Sequence, residues 1–263
     1  QDEFYGGGVA VFNSEVVLDA VVLRDNAACR GGGVYVDNTQ GISAVVSNSE
    51  FDSNHATVCQ GDEAFGGGGG IYVTHAGDAV MIVNNLVHDN TTRRINTAAE
   101  RGSGAGIHVQ GSASVLHNTV WANRSDTCGG GMTLWDRTAP ALIANNLVWG
   151  NFGNCARAGG RDLILQGSRP NEAFQVDMRN NLLPERFQVQ HGERHYSWFD
   201  IADFWGDVGR VSGDPQFLDR EALELTPGPG SPALDAADAS VPGWVATDRN
   251  SASRVDQPIR DIG

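Results

Sequence analysis

The sequence predicts an all-β solenoid, a single-stranded parallel β-helix of about six coils closed by a C-terminal cap. Three observations predict it. A glycine cluster followed by an alternating apolar strand recurs as Gly6-Gly7-Gly8-Val9-Ala10-Val11, Gly31-Gly32-Gly33-Val34-Tyr35-Val36, Gly68-Gly69-Gly70-Ile71-Tyr72-Val73, Gly104-Ala105-Gly106-Ile107-His108-Val109 and Gly129-Gly130-Gly131-Met132-Thr133-Leu134. A worn sixth copy reads Gly159-Gly160-Arg161-Asp162-Leu163-Ile164-Leu165, and the starts are spaced 25, 37, 36, 25 and 30 residues. Each copy is followed by an apolar residue, two variable residues and Asn: Leu23 to Asn26, Phe51 to Asn54, Val87 to Asn90, Val120 to Asn123 and Val148 to Asn151. Between these marks lie short β-branched strands bounded by Gly and Asn turns, with no helical period of useful length.

Each element follows from its residues. One such repeat is too short to bury a core alone, but stacked on its neighbours it can, each coil adding ~4.8 Å along the axis. The glycine clusters read as tight corners; a phosphate cradle would need a helix after them, and none follows. Asn26, Asn54, Asn90, Asn123 and Asn151 read as a structural ladder, since stacked amides satisfy one another where water is excluded. Further Asn sit just before this signature, in Asn84-Asn85, His117-Asn118, Asn145-Asn146 and Asn180-Asn181. Coils 2 and 3 carry insertions at one corner, His55 to Phe65 and Thr91 to Ser103, and insertions in a solenoid gather on one face. Their opposite charges allow either mutual pairing or ligand binding. The repeat decays from about Pro184, so residues 1–183 read as coils and 184–263 as a cap folded back on them within one structural domain. Residue 6 already starts a coil, which suggests that the chain belongs to something longer or that another molecule covers this end.

Composition narrows the function classes. The chain has 263 residues, 34 of them Gly, where about 7% is usual. Thirty-two acids against 18 bases give −14, and every base is Arg. That balance argues against nucleic acid as a partner and removes Lys as Schiff base or general base. The Lys-free bias fits a GC-rich or salt-adapted source. No run approaches the ~20 apolar residues of a membrane helix, and Gln1 opens no signal peptide.

The paired Gly-Gly and aliphatic-x-x-Asn motifs resemble the repeats of polymorphic outer-membrane proteins. More broadly they resemble the right-handed parallel β-helices of the pectate-lyase superfamily, and the right hand is implied by that resemblance. The tail Asp214-Pro215-Gln216-Phe217-Leu218, Gly230 to Asp235 and Asp261-Ile262-Gly263 is similar to the closing segment of bacterial secreted β-helix proteins. Proteins of this look include adhesins, surface scaffolds and polysaccharide-degrading enzymes, and the fold does not choose among them.

Aligning the coils places Cys29, Cys59, Cys128 and Cys155 in one corner, from coils 1, 2, 4 and 5. Bridges Cys29–Cys59 and Cys128–Cys155 would each tie neighbouring coils, by about 3–4 kcal/mol. Disulfides imply an oxidising setting, extracellular, periplasmic or at the cell surface; no Cys-x-x-Cys pair supports a metal site instead.

Candidate functional residues lie on outward strand positions. One row is Ala10, Tyr35, Tyr72, His108, Thr133 and Ile164; another is Arg24, Asp52, His88, Trp121 and Trp149. Trp121 with Trp149, and Tyr35 with Tyr72 and His108, are two aromatic strips on which sugar rings could stack, or which simply stabilise neighbouring strands. A lyase, as the resemblance allows, needs a cation and a base. Asp52, Asp62, Glu63, Asp89 and Asp136 could supply calcium ligands, and Arg93, Arg94 and Arg137 are weak base candidates. His191 and His195 head a titratable cluster that suits either acid–base chemistry or a cap. No carboxylate pair recurs in a hydrolase register. The leading expectation is a non-catalytic extracellular or cell-surface scaffold or adhesin, with polysaccharide or other surface proteins as partners. The alternative is a calcium-assisted polysaccharide lyase or a glycoside hydrolase.

Overall fold

The computed structural model describes residues 4–57, 67–76, 79–93, 104–135, 141–154, 162–167, 176–184, 186–191, 195–200, 207–209, 211–243, 247–249 and 263. At 75–76, 166–167, 186–191, 195–200 and 207–208 it describes the backbone alone. Every regular element among them is a strand. Short strands from successive coils stack in parallel into four ribbons. The first collects the glycine-led strands Val9–Phe12, Val34–Asp37, Ile71–Ala76, Ile107–Gly111, Met132–Trp135 and Leu163–Gly167. The second runs from Val16–Asp19 to Val176–Arg179, and the third from Val22–Arg24 to Leu182–Leu183. The fourth holds two-residue strands at the corner after each ladder Asn.

Stacking continues beyond the repeats legible in the sequence. Arg186–His191, Asp207–Val208 and Val211–Ser212 add a seventh rung to the first three ribbons. His195–Asp200 then pairs antiparallel with Arg186–His191. Reversing strand direction there ends the parallel stack by a hairpin.

Strand side chains alternate, so one set fills the interior. Val34, Val36, Ile71, Val73, Ile107, Val109, Met132 and Leu134 from the first ribbon meet Val46, Ile82, Val115 and Ile143 from the second and Phe51, Val87, Val120 and Val148 from the third. All are essentially buried.

Two corners hold buried amide ladders. Asn54 Oδ1 accepts both the backbone N–H and the Nδ2–H of Asn26, at 3.1 and 3.0 Å. The same pair of bonds runs from Asn54 to Asn90, from Asn90 to Asn123 and from Asn123 to Asn151, all at 2.9–3.0 Å. A second ladder links Asn85, Asn118, Asn146 and Asn181. The left-handed turns sit one residue ahead of each ladder amide. Asp25, Ser53, Asp89 and Ala122 have φ of 54–55°, and Asn84, His117, Asn145 and Asn180 have 48–61°. That left-handed residue turns the chain and points the next side chain inward.

The ladder explains the third glycine of each cluster. A Cβ on Gly106 would lie 2.9 Å from Asn123 Nδ2, and one on Gly131 2.7 Å from Asn151 Nδ2. Asp162 occupies the register position of Gly131 in the sixth coil. Its Oδ1 accepts both donors of Asn151 at 2.8 Å. The carboxylate thus stands where a sixth ladder amide would be and terminates the ladder with its donors satisfied.

The C-terminal segment packs on the outside of the stack. Phe217, Leu225 and Ala233 cover Leu86, Leu147 and Leu182, and Val241 covers Val83, Leu116 and Ala144. The left-handed asparagines pin its backbone. Asn180 Nδ2 donates to Ala236 O at 2.6 Å, Asn145 Nδ2 to Asp238 O at 2.9 Å and Asn84 Nδ2 to Thr247 O at 3.3 Å. The asparagines just before each signature therefore have two jobs, the inner one building a ladder and the outer one holding the tail.

No cysteine among the described residues is free, and Cys29 and Cys128 are both buried. Cys59 and Cys155 lie outside the described residues. No helix among the described residues is long and apolar enough to cross a membrane.

Candidate functional site

The outer face of the third ribbon carries the densest chemistry among the described residues. Register there aligns Arg24 with Asp52, Asp52 with His88, His88 with Trp121 and Trp121 with Trp149. A parallel row aligns Val22, Glu50, Leu86, Thr119, Leu147 and Leu182. The face divides into a charged half at coils 1–3 and an apolar half at coils 3–6.

The charged half centres on His88, whose side chain is 0% exposed. Its Nδ1 lies 2.8 Å from Asp89 Oδ2 and 3.7 Å from Asp52 Oδ1; its Nε2 lies 3.4 Å from Glu50 Oε1. Arg24 Nε donates to Asp52 Oδ2 at 2.5 Å, and its Nη2 to Glu50 Oε1 at 3.3 Å. Arg249, from the tail, pairs with the other oxygen of Glu50. Burial by itself would lower the imidazole pKa, but the hydrogen bond with Asp89, the charge of Asp52 and the contact with Glu50 together raise it. Glu50, Asp52 and His88 each offer one potential ligand atom, and these atoms all lie within 4.8 Å of one another.

That donor set does not match calcium, which takes six to eight oxygens. Of the acids considered as calcium ligands, Asp52 and Asp89 both contact His88, while Asp62, Glu63 and Asp136 lie outside the described residues. The sequence shows the Asp52–His88 row but not Glu50. Glu50 reaches His88 diagonally, from the neighbouring row of the adjacent coil. Arg249 was not foreseeable either, because its contact spans 199 residues.

In the apolar half, Trp121 and Trp149 stand in register but are half-buried against the Phe217, Leu225 and Ala233 cluster. Trp121 meets Phe217 edge to face at 6.3 Å. The sequence expects an open strip here; the C-terminal segment covers much of it, laying Phe217, Leu225 and Ala233 against it. Tyr35, Tyr72 and His108 also stack, at 5.6 and 4.6 Å, yet they are 3%, 5% and 3% exposed and offer no open ring faces. Arg93 is exposed beside the fourth ribbon, its backbone bonded to Ala56. Arg94 and Arg137 lie outside the described residues, as do the side chains of His191 and His195, whose backbones pair across the terminal hairpin.

Parallel stacking in four ribbons, paired amide ladders and glycine-led coils define a parallel β-helix. A family model described as a right handed beta helix region matches residues 2–148, and the chain belongs to that family. No curated protein and no solved structure matches it significantly.

Proposed function

We propose that the chain is a non-catalytic extracellular or cell-surface β-helix module, a scaffold or adhesin whose partners are polysaccharides or other surface proteins. The observation that carries this reading is the state of the third-ribbon face. Its carboxylates are already engaged by Arg24, Arg249 and His88, and its tryptophans are packed under the chain's own tail. A lyase or glycosidase needs acids and a base open to a polymer. The similarity of the repeat to polymorphic outer-membrane proteins supports the same setting, as do bridges Cys29–Cys59 and Cys128–Cys155, which belong to this proposal.

The test incubates the protein with neutral and acidic polysaccharides, with and without calcium. Ultraviolet absorbance reads lyase products, reducing ends read hydrolysis, and immobilised glycans read binding. Binding or inertness without product supports the module. Calcium-dependent product that is lost when Arg93 or Arg137 is changed to Ala would establish the lyase alternative, and new reducing ends would establish a hydrolase.

A further inference from the structure

We propose that Glu50, Asp52 and His88 form a binding site for a divalent transition ion of the zinc class, clipping coil 2 to coil 3. The ion would take Glu50 and Asp52 over from their arginine partners and serve as a structural clip, so the module reading above stands with or without it.

The argument begins with the imidazole. Asp89 Oδ2 lies 2.8 Å from His88 Nδ1, and a carboxylate accepts but does not donate, so Nδ1 carries the proton. A carboxylate fixing one ring nitrogen and leaving the other free for an ion is the usual outer support of a ligating histidine. Nε2 then faces Glu50 Oε1 at 3.4 Å. Arg24 Nη2 donates to the same Oε1 at 3.3 Å, so an ion between Nε2 and Oε1 would displace that guanidinium. Between those two atoms fits either a second ring proton or a metal ion, and distance separates the two. A charge-assisted N–H···O bond is about 2.7–2.9 Å long, so 3.4 Å is poor for a shared proton. Two ligands each about 2.0–2.1 Å from a tetrahedral ion stand about 3.3–3.4 Å apart.

Asp52 supplies the third donor from the strand that carries Glu50, within the 4.8 Å reach of the set. One imidazole and two carboxylates suit zinc, cobalt or nickel over calcium. Arg24 competes for both acids, but its side chain is 53% exposed and has room to swing out.

The test uses the whole untagged chain, stripped with chelator and titrated with Co2+ and Zn2+ near neutral pH. Cobalt is read by its visible absorption and zinc by the thermal midpoint. One Co2+ per chain is expected, with a zinc-dependent rise of about 5–10 °C at a hundredfold excess over Kd. His88→Gln and Glu50→Gln should each weaken binding at least tenfold and abolish the rise. His55→Gln, at an exposed histidine of the fourth ribbon, should change neither. Arg24→Ala, which leaves all three ligands in place, should tighten binding several-fold and keeps the test decisive if the ligand variants fold poorly. Absence of saturable binding in the natural sequence, binding that survives His88→Gln, or weaker binding in Arg24→Ala would each overturn the site.

Discussion

Replacing Asn123 by Ala is expected to cost about 3 kcal/mol, and the figure follows from its bonds. Asn123 Oδ1 accepts the backbone N–H of Asn90 at 3.0 Å and its Nδ2–H at 2.9 Å. Its own Nδ2 donates to Val87 O, Trp121 O and Asn151 Oδ1. In the alanine variant Asn90 Nδ2 keeps Phe51 O and His88 O. The Asn90 backbone N–H, on a residue with 0% exposure, is left without a partner. Such an orphan costs about 1–3 kcal/mol, and the lost amide bonds add about 1 kcal/mol. For a chain of this size the thermal midpoint should fall by roughly 6–12 °C. Asn26→Ala is the matched control. Asn26 donates to Asn54, but no described residue donates to its Oδ1 in the first coil, so its loss should cost about 1 kcal/mol or less. Equal costs for the two variants, by urea or thermal unfolding, would refute the ladder argument.

Gly106→Ala should destabilise by about 2 kcal/mol or more, because its Cβ would meet Gly131 O at 2.7 Å and Asn123 Nδ2 at 2.9 Å, and backbone cannot retreat cheaply; thermal unfolding checks it. Asp162→Asn should stay within about 1 kcal/mol of the natural chain, since an amide oxygen can still accept from Asn151, whereas Asp162→Ala should cost about 2 kcal/mol; a reversed order would sink the ladder-end reading. The Asp238 carboxyl is held below its ordinary value of 3.8 by the Ser240 hydroxyl, the Ser240 backbone and nearby Arg179, against the opposing effect of burial. A lowered folded pKa means that this contribution is present above pH 3.8 and fades as pH falls through the lower folded value. Hydrogen exchange along 236–241 should therefore speed up below about pH 3.8 relative to the coil interior, and identical protection at pH 3 and pH 6 would contradict it.

The stacking was legible in the sequence because it rests on short-range periodicity. A period of two assigns inward and outward faces, and a repeated glycine and asparagine fix the phase of each coil. That is enough to align Arg24, Asp52, His88, Trp121 and Trp149, as well as Tyr35, Tyr72 and His108. It also aligns the ladder from Asn26 to Asn151, because an amide with two donors and an acceptor can repeat indefinitely along the axis. The seventh rung was not legible, since Arg186–His191 and Val211–Ser212 join the stack without either motif.

What covers those faces was decided by tertiary structure alone. The C-terminal segment has no period, and its place depends on contacts between residues far apart in the chain. Asn145 holds Asp238 across 93 positions, and Arg249 reaches Glu50 across 199. Those contacts hold the tail along the outside of the stack and bring Arg249 to Glu50, while Phe217, Leu225 and Ala233 close the tryptophan strip. Local pattern sets which side chains share a face; only the folded chain sets which of them stay open to a ligand.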